Sequence, residues 1–554
     1  MHKKIAIAQN VKELEFILSS FEKTPMVLPV NLETLLYCLK KKLNFINLNE
    51  FISKKIHERI LIETNNLIKK IIFLKSLDQN LISEIEVFLR FRIYSYKFIK
   101  YSLQEILKYK KIDYYIVSGW NEKNHSKLNE YFLKDIISHI VPKKKIINLN
   151  ISKISEKNKT IVTNYKYATP SIQSTSKKKI LLNNLGYNFK RIIFSKYSKN
   201  NLFYFPTFDK INFFKKIAFH FLNIRPLYFK KKSTKYKFFK LYNLNQIKHS
   251  EDSKILNIFS GKFNLHFNDL YHKNESVKKL LIKNNFNLII ANITKGIEGS
   301  ISCKIKKKST NSICIPHGTV TESFNKFDKI YKRNIAQAIF SGDAKYFAIQ
   351  SKIAKNSLNT HKINGKPLFT GNLIFSSTNK QSKKILFAVT LKDFYGLQFL
   401  GVEMFYEFLE NLKYLNKISK KFEYKFLIKV HPLEQKCVPY LKSIFKNLEF
   451  TNKKIDHVLK QCSMTISYSS TVIEDSLQSK IPVILLDHWN RYQHCAAEKN
   501  INKKNKAVYY INDRKNLKKA INTINKSNKI NFEKYTFKGD CKKNFGDHVF
   551  SKAV

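Results

Sequence analysis

The first fifty residues alternate short apolar runs with longer amphipathic ones. "KKIAIA", "PMVLPV" and "NFINL" are brief and apolar, whereas "VKELEFILSSF" and "LETLLYCLKKK" repeat their apolar residues at the spacing of one helical face. Short strands separated by helical stretches predict a parallel sheet with covering helices, so the N-terminal part is expected to be α/β. A long helical stretch follows, roughly Leu81 to Tyr109, and it leads into the strand "DYYIVSG" from Asp113 to Gly119.

The pattern then lapses. Residues 151–179 are rich in Ser, Thr, Asn and Lys, which predicts a surface loop or inserted linker. Residues 211–240, "INFFKKIAFHFLNIRPLYFKKKSTKYKFFK", interleave Phe and Tyr with Lys and Arg. They fit an interfacial helix, with aromatics dipping into a membrane and lysines on acidic head groups. They equally fit a helix packed on its own domain with snorkelling lysines. The Arg225-Pro226 step breaks any single helical face.

Order returns with "FNLIIANITKGIEGSISCKIKKKSTNSICIPHGTV", a strand, loop, helix and strand that end in a loop opened by Pro316, His317 and Gly318. "AQAIFSGDAKYFAIQSK" repeats the form, and a fresh series starts at the strand "KKILFAVT". At 554 residues the chain is too long for one core. A boundary between Phe375 and Lys384 divides it into an N-terminal domain, 1–375, carrying the insertions at 151–179 and 211–240, and a C-terminal domain, 376–554.

Composition narrows the classes. With 43% hydrophobic and 14% aromatic residues, the chain is not one that stays disordered for lack of apolar surface. The excess of 101 Lys+Arg over 41 Asp+Glu gives a formal charge of +60, which raises nucleic acid or an anionic membrane as partners. Lys, Asn, Ile, Phe and Tyr are high everywhere while Gly is 13 and Pro 11, so the bias is chain-wide, and a generally basic surface is favoured over a dedicated nucleic-acid face. What remains is attraction to acidic lipid, acidic glycans or nucleotide phosphates. The seven cysteines are scattered, without a CxxC or the His spacing of a zinc site, and they suit a reducing compartment. The first apolar run is too short for a signal peptide, and none approaches the roughly 18 uncharged apolar residues of a spanning helix. A cytoplasmic protein, free or bound to a surface, is the expectation.

In the C-terminal series "YKFLIKV", "CSMTISYS" and "IPVILLD" read as strands and "TVIEDSLQSK" as a helix. Open parallel sheets bind ligands at the carboxyl ends of their strands, which puts His431 at one such end and Ser469, Ser470 and Thr471 at another. The serine hydroxyls, the first free N–H groups of the helix and its dipole can hold a phosphate. Glu474, a turn further on, can accept from ribose hydroxyls, and the His431 imidazole can donate a hydrogen bond or a proton to a phosphate oxygen. Lys429 shares the side of His431 only if the strand stays regular. Each feature has a plainer meaning alone: Ser-Ser-Thr with Glu474 is also an ordinary helix cap, and His-Pro and His317-Gly318 are also ordinary loops. Their order, each after a strand, favours a site.

A strand ending in K-x-H-P, then a strand leading into Y-S-S-x-x-x-E and K-I-P-V-I, resembles the C-terminal domain of bacterial GT-B glycosyltransferases of capsule and lipopolysaccharide biosynthesis. The resemblance extends to transferases using CMP-sialic acid or CMP-Kdo and to CDP-glycerol glycerophosphotransferases, and "IPHGT", "AIFSGD" and "TGN" fit the same frame. It implies an α/β, GT-B fold: two Rossmann-like domains facing across a cleft, with a helical, basic insertion in the N-terminal half. It also implies that His431 contacts the donor phosphate, that Ser469, Ser470 and Thr471 hold it with Lys429 and Pro432 alongside, and that Glu474 takes the ribose. His317 matches the histidine of the family's H-G loop and is the implied general base or acceptor-orienting group, with Gly318 and Thr319 on the acceptor side; as a base it must stay neutral to accept a proton. The chain departs from the family at Pro316, where Gln or Trp is common, and after His-Pro, where Leu433, Glu434, Gln435 and Lys436 replace the usual Arg or Lys. No D-x-D motif presents itself, so neither a metal nor a cofactor is expected beyond the nucleotide-sugar donor.

The expected activity is transfer of a sugar, from a CMP-sugar in the first instance, to a glycan or glycolipid acceptor, with peripheral contact to an anionic membrane and no nucleic acid. One alternative is transfer of a polyol phosphate from a CDP-polyol, by attack at phosphorus. From another class, the alternative is a basic nucleic-acid-binding protein, for which the sequence holds no recognised module.

Overall fold

The computed structural model describes residues 3–118 apart from 9 and 76, then 133–149, 164–168, 179–183, 201–205, 213–221, 224–226, 228–232, 242–243, 251–257, positions within 267–279, 286–292, 310–316, 319–340, 344–372, 383–388, 403–420, and 422–537 apart from 489 and 491. Three parallel sheets organise these residues.

The C-terminal sheet has six strands in the order Glu449–Phe450, Lys425–Lys429, Lys384–Ala388, Met464–Ser467, Val483–Leu486 and Val508–Ile511. Numbered along the chain, that order is 3-2-1-4-5-6, the doubly wound arrangement of a nucleotide-binding sheet. Its strands are apolar on both sides because helices cover both faces. Ile385 and Phe387 enter one core while Leu386 and Ala388 enter another, as strand alternation requires. Helix Val472–Gln478 covers one face, with Ile473 and Leu477 fully buried against Val483 and Leu485.

The middle sheet has seven strands, Lys366–Phe369, Tyr346–Ile349, Asn311–Cys314, Leu288–Ala291, Lys179–Asn183, Asn201–Phe205 and Ile224–Pro226. Read from the other edge it is 3-2-1-4-5-6-7, so the same winding recurs with one added strand. These two sheets are the Rossmann-like pair of the GT-B fold.

A third sheet lies N-terminal to them: Met26–Val27, Lys4–Ile7, Tyr114–Ser118 and Ile146–Leu149, all parallel. The N-terminal half therefore carries two Rossmann-like sheets, where the sequence led us to expect one with insertions. "NFINL", expected as a strand, contributes only a bridge from Phe45 to Val27 before a short helical turn at Leu48–Glu50. The long helix runs from Gln79 to Tyr109. Tyr406, in helix Glu403–Ser419 of the C-terminal unit, donates its hydroxyl to the carbonyls of Pro29 and Ile46 at 3.3 Å each, which fastens the extra unit to the pair.

The basic aromatic stretch is not one helix. It forms helix Phe213–Phe221, the edge strand Ile224–Pro226 and the strand Tyr228–Lys232. Pro226 lacks a donor for a further neighbour and is tolerated because that strand is at the sheet edge. Tyr228–Lys232 pairs antiparallel with Asn164–Ala168, which with Lys179 is what the structure describes of the expected loop at 151–179. The expected boundary region, 375–384, falls mostly outside the described residues.

Candidate functional site

The crevice of a 3-2-1-4-5-6 sheet opens beside its first strand, where the winding reverses. Here that strand is Lys384–Ala388; Ala388 registers with Lys429 on one side and Phe387 with Ile466 on the other. His431 leaves the strand on one flank and Ser469 leaves the strand on the other. The two flanking strands are two strand spacings apart, roughly 10 Å.

The local sequence explains how His431 is held. Val430 is buried, and Pro432 opens a 3-10 turn through Cys437. The amide of Glu434 donates to the His431 carbonyl at 2.8 Å, and the Gln435 amide group donates to the Val430 carbonyl at 3.0 Å. The half-buried histidine thus sits on a pinned turn. The Lys429 ammonium donates to the Lys453 carbonyl at 2.8 Å, beyond the outer strand, and burial pushes its pKa down.

On the opposite flank Ser469 is buried, whereas Ser470 and Thr471 are half-buried. The Ser470 hydroxyl accepts from the Val472 amide at 3.3 Å, and Thr471, at the cap position, makes no side-chain cap bond. Glu474 does not complete a capping box. Its carboxylate instead accepts from the Ser351 hydroxyl and lies 3.3 Å from His494 Nε2. Beside it Asp475 accepts from the Asn372 amide group at 2.6 Å. Burial, with Glu474 as neighbour, raises Asp475 to about 7 even though Asn372 opposes the shift, so part of the negative charge at the helix start is removed near neutrality.

Ser351 and Asn372 follow the carboxyl ends of two strands of the middle sheet, so these contacts bring the carboxyl rims of both sheets together. A buried lysine makes a further link. Lys332, 1% exposed, bonds to Asp328 at 2.7 Å, to the Glu322 carbonyl and to the Gln493 carbonyl at 2.7 Å. Its ammonium also lies over the rings of Phe324 and Tyr492, at 5.0 and 4.9 Å. Glu322 and Phe324 belong to the segment after His317-Gly318, and Gln493 precedes His494, so one cation ties that segment to the C-terminal unit.

His317 and Gly318 lie outside the described residues. Thr319 is half-buried beyond them, and the Pro316 carbonyl before them accepts from the Gln350 amide group at 2.7 Å. Ser351, Asn372, His494, Lys332 and Asp328 carried no signal that marked them in advance, apart from Asn372 within "TGN". Ser467, at the end of its strand, is a further unforeseen group: its hydroxyl is buried without a hydrogen-bond partner beneath the serine loop. Among the described residues no group of three or more His, Cys, Asp or Glu is placed to hold a metal ion. Two cavities, of about 510 and 420 Å³, lie away from this rim on the N-terminal unit and share Lys100, Gln104 and Glu251 in their walls.

The two strand orders and the joined rims are those of a GT-B fold. No family model matches the chain, and no curated protein matches it. Solved structures similar to it include the UDP-GlcNAc 2-epimerase of Methanocaldococcus jannaschii, 13% identical with a TM-score of 0.38, covering 68% of this chain and 100% of that one. The S. aureus MnaA–UDP structure is 11% identical, TM-score 0.40, covering 68% and 98%. The wall teichoic acid polymerase TagF is 11% identical, TM-score 0.34, covering 68% and 84%. These likenesses are distant, and the fold assignment rests on the two strand orders and the contacts between the rims.

Proposed function

We propose that the protein is a glycosyltransferase that moves a sugar from a nucleotide donor, a CMP-sugar in the first instance, to a bacterial capsule or lipopolysaccharide glycan. The observation that carries this function is the placing of His431 and Ser469–Thr471 on the two flanks of the switch-point crevice. Ser469 and Ser470 would hold the donor phosphate, with His431 donating to a phosphate oxygen as charge builds there. The acceptor oxygen attacks the anomeric carbon, its proton passes to His317, and the bond to phosphate breaks so that the nucleotide leaves with the electron pair. Glu474 reaches the ribose in this scheme only by exchanging Ser351 or His494 for ribose hydroxyls, a change that would accompany movement of the two rims.

The same cradle suits a CDP-polyol, with attack at phosphorus and CMP as leaving group. Incubating the protein with a CMP-sugar or with CDP-glycerol, each with a short capsule-type glycan, separates the two chemistries. CMP release that needs the sugar donor and is lost in His431→Ala supports glycosyl transfer. Release from CDP-glycerol alone replaces it with polyol-phosphate transfer, and strong salt-dependent binding to DNA or RNA without nucleotide turnover replaces both.

A further inference from the structure

Helix Phe213–Phe221 is turned inside out for a surface helix. Phe213, Phe214 and Phe221 are 70, 79 and 83% exposed, and Ile217 is 39% exposed. At 3.6 residues per turn these four positions fall within an arc of roughly 100°. Phe219, on the far side, is the buried one, with its ring 4.9 Å from that of Tyr204. The helix is therefore anchored through Phe219 and presents its apolar arc outward, where an ordinary amphipathic helix presents charge.

The sequence that follows Asp209, through the helix and up to Glu251, carries charge of one sign. From Lys210 to Ser250 the sequence contains eleven Lys and Arg and no Asp or Glu, and the whole chain carries +60. The helix includes Lys215 and Lys216, and Arg225 and Lys230–Lys232 follow in the two strands after it. Nine residues of helix span about 14 Å, too short to cross a hydrocarbon core of roughly 30 Å. An exposed aromatic arc within a lysine-rich stretch of sequence matches the physics of an interfacial helix, in which rings enter the boundary of the acyl chains and cations meet anionic head groups.

We propose that helix Phe213–Phe221 docks the protein onto a lipid bilayer bearing anionic head groups, with Phe213, Phe214, Ile217 and Phe221 as the inserted side chains. This docking surface belongs to the insertion and does not depend on which donor the crevice binds.

The test is sedimentation of the full chain with vesicles of phosphatidylcholine alone and of phosphatidylcholine mixed three to one with phosphatidylglycerol. Wild type and the triple variant Phe213→Ser/Phe214→Ser/Phe221→Ser are compared. The replaced rings are exposed, so the variant should melt at the wild-type temperature. The expected result is binding to anionic vesicles that weakens with salt and falls at least tenfold in the triple variant. Phe214→Trp should also be quenched by bromine-labelled lipid tails, which a purely electrostatic contact would not produce. Equal binding of wild type and triple variant, or no binding of wild type, overturns the proposal. So does a wild-type dimer that the triple variant dissolves without any vesicle binding, since the arc would then serve a second copy of the chain.

Discussion

Replacing Lys332 by Met should unlock the two rims, and the structure sets the size of the effect. The ammonium is desolvated and makes three bonds, to Asp328, Glu322 and Gln493, so burial pushes its pKa down while Asp328 pulls it up. Burial likewise pushes Asp328 up, and Lys332 holds it down. Removing one partner of a buried pair leaves an uncompensated charge and costs about 3–5 kcal/mol. The Asp328 carboxyl would rise further without its cation. Stability would then be retained at low pH, where the group is protonated in both states, and lost as pH rises from the unfolded carboxylate range through the new folded value. Lys332→Met should therefore be milder at pH 5 than at pH 8, and adding Asp328→Asn should recover more than half of the loss. Because a chain of several units need not unfold in one step, the assay is amide hydrogen exchange in segments 319–324 and 492–494, which report local opening. Both segments should exchange faster together. A cost below about 1 kcal/mol, no pH dependence, or loosening of only one segment would refute the linking role of this lysine.

Two other outcomes follow from buried groups. Burial holds Asp475 at about 7 in the folded protein, against the ordinary 3.8 of an exposed aspartate, so its contribution to stability is lost as pH rises between those values. Asp475→Asn keeps an acceptor for Asn372 and should raise the melting temperature at pH 8 while leaving it nearly unchanged at pH 4; the full effect is at most roughly 4 kcal/mol. Cys38, Cys314, Cys437, Cys462 and Cys495 are buried and unpaired in disulfides, and burial pushes the Cys38 and Cys462 thiols up to about 12. All five should resist a thiol reagent in the native state and react on unfolding, as peptide mapping of the labelled sites would show.

The backbone of the site was legible because its pattern is local. "YKFLIKV", "CSMTISYS" and "IPVILLD" are short apolar runs bounded by turn residues, and each became a buried parallel strand. The position of His431 and Ser469–Thr471 followed from where those runs stop. The partners of these residues were hidden, since they are set by tertiary contact. Glu474 has the spacing of a cap or a ribose ligand, yet Ser351, 123 positions away in sequence, and His494 take its oxygens. Lys332 is one of 101 Lys and Arg, and nothing in its own helix distinguishes it from a solvated neighbour. The second sheet in the N-terminal half was written in the same alternation as the first, but pattern alone does not say where one sheet closes and the next begins. Ile224–Pro226 was obscured in the opposite way, because an edge strand of three residues between a helix and a lysine run has too little length to show a period.

The most direct test of the account is thermal stability of the purified protein titrated with CMP, CDP, UMP, UDP and GDP, for wild type, His431→Ala and Ser470→Ala. A nucleotide at about 100 times its dissociation constant stabilises a fold by roughly 2.7 kcal/mol, enough to move the melting temperature visibly. A donor cradle at this site should be stabilised by a cytidine nucleotide, an effect both substitutions abolish, with CMP favoured for a CMP-sugar donor and CDP for a CDP-polyol. No shift with any nucleotide, or a shift that both variants retain in full, would contradict a donor cradle at His431 and Ser469–Thr471.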